Sequence, residues 1–223
     1  MLRDPEHLLQ SGLDWLRVSV SGFNQETYSI GHQGGDIETV KRNLHRLADA
    51  KRKVGSDTVL EIFYPLYNED EDEADAMAML AAELGFEFQT ILAFLTTVEK
   101  ILEAATGKRN AADDAVLARL AVPLDRALAI TSQLGLKTCG LLEDMITIDV
   151  AGNAMLCCGC SMAPSNVIGS FLDLPLSEIQ SRRRRHELCR ECLRLGVPSY
   201  FLGHPEFGKI ADDARTAAGA TGS

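Results

Sequence analysis

The chain has 223 residues, enough for one large domain or two small ones with a real core. Apolar residues make up 46% and charged residues 24%, which excludes wholesale disorder. Its 32 acidic and 22 basic residues give a net charge of −10, which argues against a nucleic-acid groove and the basic field it needs. No run reaches the about 18 apolar residues of a membrane span. The opening MLRDPEHLLQSG lacks the apolar stretch of a signal peptide, so a cytoplasmic, reducing setting is expected, with no membrane and no nucleic acid as partner.

In chain order, LDWLRVSV (13–20) reads as a strand and ETVKRNLHRLADAKRKVG (38–55) as an amphipathic helix ending at Gly55. TVLEIFYPLY (58–67) reads as a second strand. NEDEDEADAMAMLAAELG (68–85) reads as a helix whose acidic start suits the positive end of its dipole. FEFQTILAF (86–94) is a third strand. This alternation predicts repeated βα units with right-handed crossovers and a parallel sheet. Residues 97–135 look helical, with a polar break at GKRNAADD (107–114) and a bend at Pro123. From Cys139 the pattern becomes a hairpin, with MITIDV (145–150) as first strand, AGN as turn and AMLCC (154–158) returning. An irregular loop and a helix over LSEIQSRRRRHELC (176–189) follow, and the tail AAGATGS (217–223) is expected to lack order.

All six cysteines lie between Cys139 and Cys192. In a reducing compartment such clustering points to metal binding or redox chemistry. The hairpin brings Cys139 near Cys157, and Cys189 and Cys192 form a C-x2-C at a helix end. The candidate set is C-x17-C-x31-C-x2-C. Four thiolates suit a tetrahedral zinc or a cubane iron–sulfur cluster, and spacing does not choose between them. Cys158 and Cys160 are as readily small buried apolar residues as ligands. The basic run SRRRRHEL (181–188) reads as a solvated helix face. NEDEDEAD (68–75) lacks the spacing of a calcium loop, and the histidines show no ligand-pair spacing.

These residues resemble the SPASM and twitch domains of radical S-adenosylmethionine enzymes, which hold auxiliary 4Fe–4S clusters. That pattern begins with a cysteine, 9 to 15 residues, then G-x4-C; here Cys139, twelve residues, Gly152 and Cys157 fit it. An asparagine-to-glycine element follows as NVIG (166–169), then a short helix at LPLSEIQ (174–180), then Cys189 and Cys192. No cysteine follows Cys192, so the resemblance is to the single-cluster twitch version. It selects Cys157 over Cys158 or Cys160, although a one-residue slip in the strand would exchange Cys157 and Cys158. Residues 11–94 resemble the second half of the radical S-adenosylmethionine barrel, with SGLDWLRVSVSGFNQETY (11–28) as its fourth strand and loop and GGDIETVKRNLHRL (34–47) as the helix after it. Along β-strand 13–20 polar residues alternate to one face. The resemblance makes Ser19 a candidate for the ribose of S-adenosylmethionine, with Glu61 on the next strand also turned inward; the bland alternative is an edge strand facing water.

The fold expected is therefore α/β: a partial parallel (β/α) barrel over residues 1–96, a helical connector over 97–138, a small α+β cysteine-rich iron–sulfur domain over 139–205 and a tail over 206–223. The expected ligands are Cys139, Cys157, Cys189 and Cys192, around one auxiliary 4Fe–4S cluster or, alternatively, a structural zinc in a non-catalytic module. The C-x3-C-x2-C of the catalytic cluster is absent. The resemblance thus implies that S-adenosylmethionine binds only if an N-terminal half, upstream or on a separate chain, completes the barrel. The chain is then a fragment, a paired subunit or a degenerate homologue, the first being favoured. The substrate would be a peptide or small molecule, and no radical chemistry is expected of this chain alone.

Overall fold

The computed structural model of the chain describes residues 4–32, 34–68 and 71–220. The chain divides into two compact units, residues 1–93 and 94–223.

The first unit starts with α1 (Pro5–Leu9), capped by Asp4, whose carboxylate accepts the His7 N–H at 2.9 Å. Strand β1 (Trp15–Ser19) leads to α2 (Gln25–Gly31) and α3 (Ile37–Val54). Asp36 caps α3 by accepting the N–H groups of Glu38 and Thr39 at 3.2 and 3.1 Å. Gly55 ends it in the left-handed conformation, φ +63°, that glycine adopts without cost. Then come β2 (Val59–Leu66), α4 (Glu71–Leu84) and β3 (Glu87–Leu92). The strands form a parallel sheet in the order β1-β2-β3, with Arg17 opposite Glu61 and Glu61 opposite Glu87. The alternation of strand and helix in the sequence thus gives the α/β sheet it predicts.

Helices cover one face of this sheet. Leu60, Ile62 and Tyr64 on β2 are buried with Leu44 and Leu47 of α3 and Met77 and Ala81 of α4. The opposite face holds Trp15, Arg17, Ser19, Glu61 and Gln89, a polar row on a parallel sheet that is normally apolar on both sides. Three strands do not close, and among the described residues there is no barrel. The acidic start of α4 has a different use from ion binding. Glu73 accepts the N–H groups of Phe23 and Asn24 at 2.7 and 3.0 Å and the Thr27 hydroxyl at 2.6 Å, so it fixes the entry to α2. Glu69 and Asp70 of that run lie outside the described residues.

The second unit is built from short pieces: α5 (Val98–Ala105), α6 (Ala111–Leu117), α7 (Leu124–Thr131), α8 (Gly140–Glu143), β4 (Asn153–Met155), β5 (Val167–Ser170), α9 (Leu176–Arg185), α10 (Glu187–Arg194), α11 (Val197–Leu202) and α12 (Pro205–Ala220). Four sequence expectations change here. Pro123 does not bend a helix but starts one, as N-cap of α7, because its ring and missing N–H break the run before it. The expected hairpin forms only in short measure: Ile148 bridges to Ala154, with the Asp149 N–H donating to the Asn153 carbonyl at 2.9 Å and the Met155 N–H to the Thr147 carbonyl at 2.8 Å, and the ladder of β4 is made with β5, antiparallel, Asn153 opposite Ser170. The NVIG segment thus supplies the partner strand, its first residue ending a 3-10 turn. The helix expected over 176–189 is two helices, broken at His186, whose ψ of 135° is extended. Finally, α12 runs to Ala220, through the first part of the tail expected to lack order; residues 221–223 lie outside the described residues. Among the described residues no helix is long and apolar enough to cross a membrane.

Candidate metal centre

Three separate segments of the second unit deliver sulfur. Cys139 is the N-cap of α8, with extended backbone, and its carbonyl accepts the N–H groups of Leu142 and Glu143 at 2.9 and 3.0 Å. Cys157 and Cys160 sit in the tight turn leaving β4, where the Cys160 N–H donates to the Cys157 carbonyl at 3.3 Å and the Gly159 N–H donates to the Cys157 sulfur at 3.1 Å. Cys189 and Cys192 are three residues apart on α10 and so share one helix face. His186 caps that helix, its Nδ1 accepting the Leu188 N–H at 3.2 Å.

One narrow pocket, partly open to solvent, is lined by Cys139, Cys157, Cys160, Cys189 and Cys192, with leucines and Phe201 making up most of the rest. All four sequence-expected sulfurs are brought together there. Cys160 joins them as a fifth, buried at 7% exposure. Cys158 is exposed and does not line the pocket. The turn is held by the start of α5. The Val98 N–H donates to the Gly159 carbonyl at 2.8 Å, and Glu99 accepts the Ser161 N–H at 3.1 Å, the Ser161 hydroxyl at 2.7 Å and the Asn166 amide at 2.6 Å. Burial pushes the Glu99 carboxyl up, but hydrogen bonds from Thr97, Ser161 and Asn166 outweigh it and hold the pKa at about 2.

The electrostatics of the thiols follow from crowding in an apolar pocket. Burial pushes Cys139 up, and burial with the charges of Cys157 and Cys139 pushes Cys189 up to about 11. Cys192 is raised by burial and then by the charges of Cys139, Cys157 and Cys189. Cys157 is the exception: the Cys160 thiol and the Gly159 and Cys160 N–H groups hydrogen-bond to its sulfur and favour the thiolate. The same hydrogen bond, with burial, raises Cys160. Neutral thiols in this pocket thus become ligands only when a cation makes up for the lost solvation of four thiolates.

Among the described residues no three His, Cys, Asp or Glu side chains converge closely enough to hold one metal ion. The donors that line the pocket are thiols, the type that both a tetrahedral zinc and a cubane iron–sulfur cluster take.

Sequence reasoning missed two groups. Arg183, inside the run expected to face water, is fully buried at 0% exposure. The available signal was its position four residues after Ile179, also at 0%, on the inward stripe of α9. Glu99 and Ser161 gave no such signal, because their pairing joins segments 62 residues apart. The other expected site residues lie in the first unit. Ser19 is exposed on the edge strand β1. Glu61 is on the same sheet face but 2% exposed, and it accepts the Trp15 indole N–H at 2.9 Å and the Arg17 Nε–H at 2.6 Å. These donors, Arg17 foremost, lower its pKa against burial. Compared with models of known protein families, with curated proteins and with solved structures, the chain matches none.

Proposed function

We propose that the second unit is an iron–sulfur module in which Cys139, Cys157, Cys189 and Cys192 hold one auxiliary 4Fe–4S cluster, and that the chain acts as the C-terminal part of a radical S-adenosylmethionine protein. The observation that carries this reading is the gathering of four sulfurs from three segments in one apolar-walled pocket. When bound, such a cluster supplies one-electron transfer or structural support beside a radical site. The chain's residues bind and shield it: the leucines and Phe201 keep water from the sulfurs, and the Gly159 N–H donates to the Cys157 sulfur, which favours the thiolate. With four cysteine ligands no iron position stays open, so the module relays electrons or supports the site and does not bind substrate directly.

The first unit fits the other half of the reading. Its open sheet face bears Ser19, the candidate for the cosubstrate ribose, while Glu61 is engaged by Arg17 and Trp15 and serves to order that face. No C-x3-C-x2-C occurs in the chain. Cosubstrate cleavage and radical modification of a peptide or small molecule therefore belong to an assembly with a segment that carries this triplet.

A second reading, a structural zinc, is favoured by one observation: the Cys157–Cys160 turn, with its N–H bond to sulfur, makes two C-x2-C pairs with Cys189 and Cys192. Metal analysis after anaerobic purification and reconstitution decides. About four irons and four sulfides per chain with brown absorption, lost in Cys189→Ala/Cys192→Ala, is the expected result. One zinc per chain without sulfide or colour would replace the cluster by a staple and remove electron transfer.

A further inference from the structure

Four consecutive arginines, Arg182 to Arg185, occupy the end of α9. Two meet partners at the surface: Arg182 pairs with Glu178 at 2.8 Å and Arg184 with Glu143. Arg183 differs from both. Its Nε donates to the Leu156 carbonyl at 2.7 Å, Nη1 to the carbonyls of Leu142 and Met145 at 3.1 and 2.8 Å, and Nη2 to that of Leu141 at 2.9 Å. These bonds satisfy most of its donors but bring no opposite charge. Among the described residues no carboxylate stands within ion-pair distance of it, and the carboxylate whose charge reaches it, Glu143, is held by Arg184. A guanidinium at 0% exposure without an anion carries a desolvation cost that carbonyl dipoles offset only in part.

The carbonyls it grips lie on the segments that carry the sulfurs. Leu141, Leu142 and Met145 follow Cys139, and Leu156 precedes Cys157. Through the Leu156 and Leu141 carbonyls the guanidinium is fixed one residue along the chain from Cys157 and two from Cys139. Four thiolates around an iron–sulfur core leave the whole with net negative charge, and one added electron makes it more negative. A fixed buried cation beside it is the missing counter-charge.

We infer that Arg183 is the built-in counter-ion of the sulfur-held group: a positioning residue that joins the Cys139 and Cys157 segments through their carbonyls and stabilises added negative charge on what they bind. This rests on the cluster reading above. It makes the basic run a divided one, with two arginines in surface pairs, Arg183 electrostatic and interior, and Arg185 exposed.

The test compares the full chain with Arg183→Met and Arg183→Lys after reconstitution with iron and sulfide, reading metal content and a dithionite titration followed by visible absorption. Lysine keeps the charge with fewer donors; methionine keeps neither. Arg183→Lys is expected to load fully and titrate as the parent does. Arg183→Met, where it loads, should show a reduced-to-oxidised ratio about tenfold lower at the potential that half-reduces the parent, a shift of about 59 mV for one electron. An unshifted, fully loaded Arg183→Met would overturn the inference while leaving the cluster reading intact. If Arg183→Met does not load, Arg183→Lys decides: loading at the parent potential supports a charge role, and failure to load shows that Arg183 acts only as a hydrogen-bond brace. A parent chain that takes up no iron or sulfide overturns the cluster reading itself and the inference with it.

Discussion

In residues 1–93 the largest fully buried side chains are Tyr64, Ile37, Leu44, Leu60, Ile62 and Met77, and there is no cysteine; in residues 94–223 the largest fully buried side chain is an arginine, and five thiols share one pocket. The first unit has strands of five to eight residues and an 18-residue helix. The second has strands of three and four residues and mostly short helices. Its joints are single polar nodes: Glu99 with Ser161 and Asn166, Thr131 with the Leu195 carbonyl at 2.9 Å, the Leu95 N–H to the Tyr200 hydroxyl at 2.9 Å, and Arg183. Apolar burial suffices for an amphipathic α/β layer. A unit of short pieces needs added ties, and sulfur-held metal is one that small folds use.

The largest expected effect separates the two units outright. Cys189→Ala/Cys192→Ala should lose all iron and sulfide, and limited proteolysis should then cut the second unit while residues 1–93 stay protected; equal cutting of both units would end the distinction. Met77→Ala, in the first core, should lower stability by about 2–5 kcal/mol in denaturant unfolding while leaving iron content unchanged. Gly196→Ala acts on the second unit only. At φ +67° its Cβ would stand 2.1 Å from the Thr131 carbonyl oxygen. Overpacking of about 1–3 kcal/mol adds to left-handed strain of about 1–2 kcal/mol, which a lowered melting temperature should report.

A smaller effect depends on pH. The Glu99 pKa is lowered from 4.5 to about 2, so its contribution is complete above pH 4.5 and is lost as pH falls from there through 2. Because Glu99 is only half-buried, the contribution is about 1 kcal/mol after screening. Glu99→Gln should flatten the acid limb of the stability profile between those values; an unchanged limb would show that Glu99 does not hold the Cys157–Cys160 turn. The smallest effect is expected of Cys158→Ser, which should keep full iron content and change stability by less than about 0.5 kcal/mol. Loss of iron there would mean that the strand slips by one residue and that Cys158 replaces Cys157.

Much of the first unit was legible because its signals are local. The stop at Gly55, the alternating β1 and the amphipathic α3 each declare themselves within a few residues, whereas the Asp36 cap, before the expected start at Glu38, came only with the structure. The second unit was less legible in its form. Cysteine spacing named four thiols that line one pocket, while the expected hairpin forms only as a short contact of residues 147–149 with β4, whose ladder is made with β5. The turn at 149–153, closed by Asp149 accepting the Ala151 and Asn153 N–H groups at 2.9 Å, lies where the sequence expected it, but the sequence did not show that β5 lies on the other side of β4.

By itself the sequence determined the order of strand and helix, the one-sided polarity of β1, the absence of thiol before Cys139 and the collection of sulfur after it, since each depends on residue type and short spacing. Only the tertiary structure decided that Glu61 turns to Arg17, that Cys160 enters the pocket and Cys158 does not, and that one arginine of four goes inside. Those choices are made by partners 41 or 44 residues away, as between Arg183 and Leu142 or Arg17 and Glu61, and no local period encodes which distant carbonyl or carboxylate a side chain will meet.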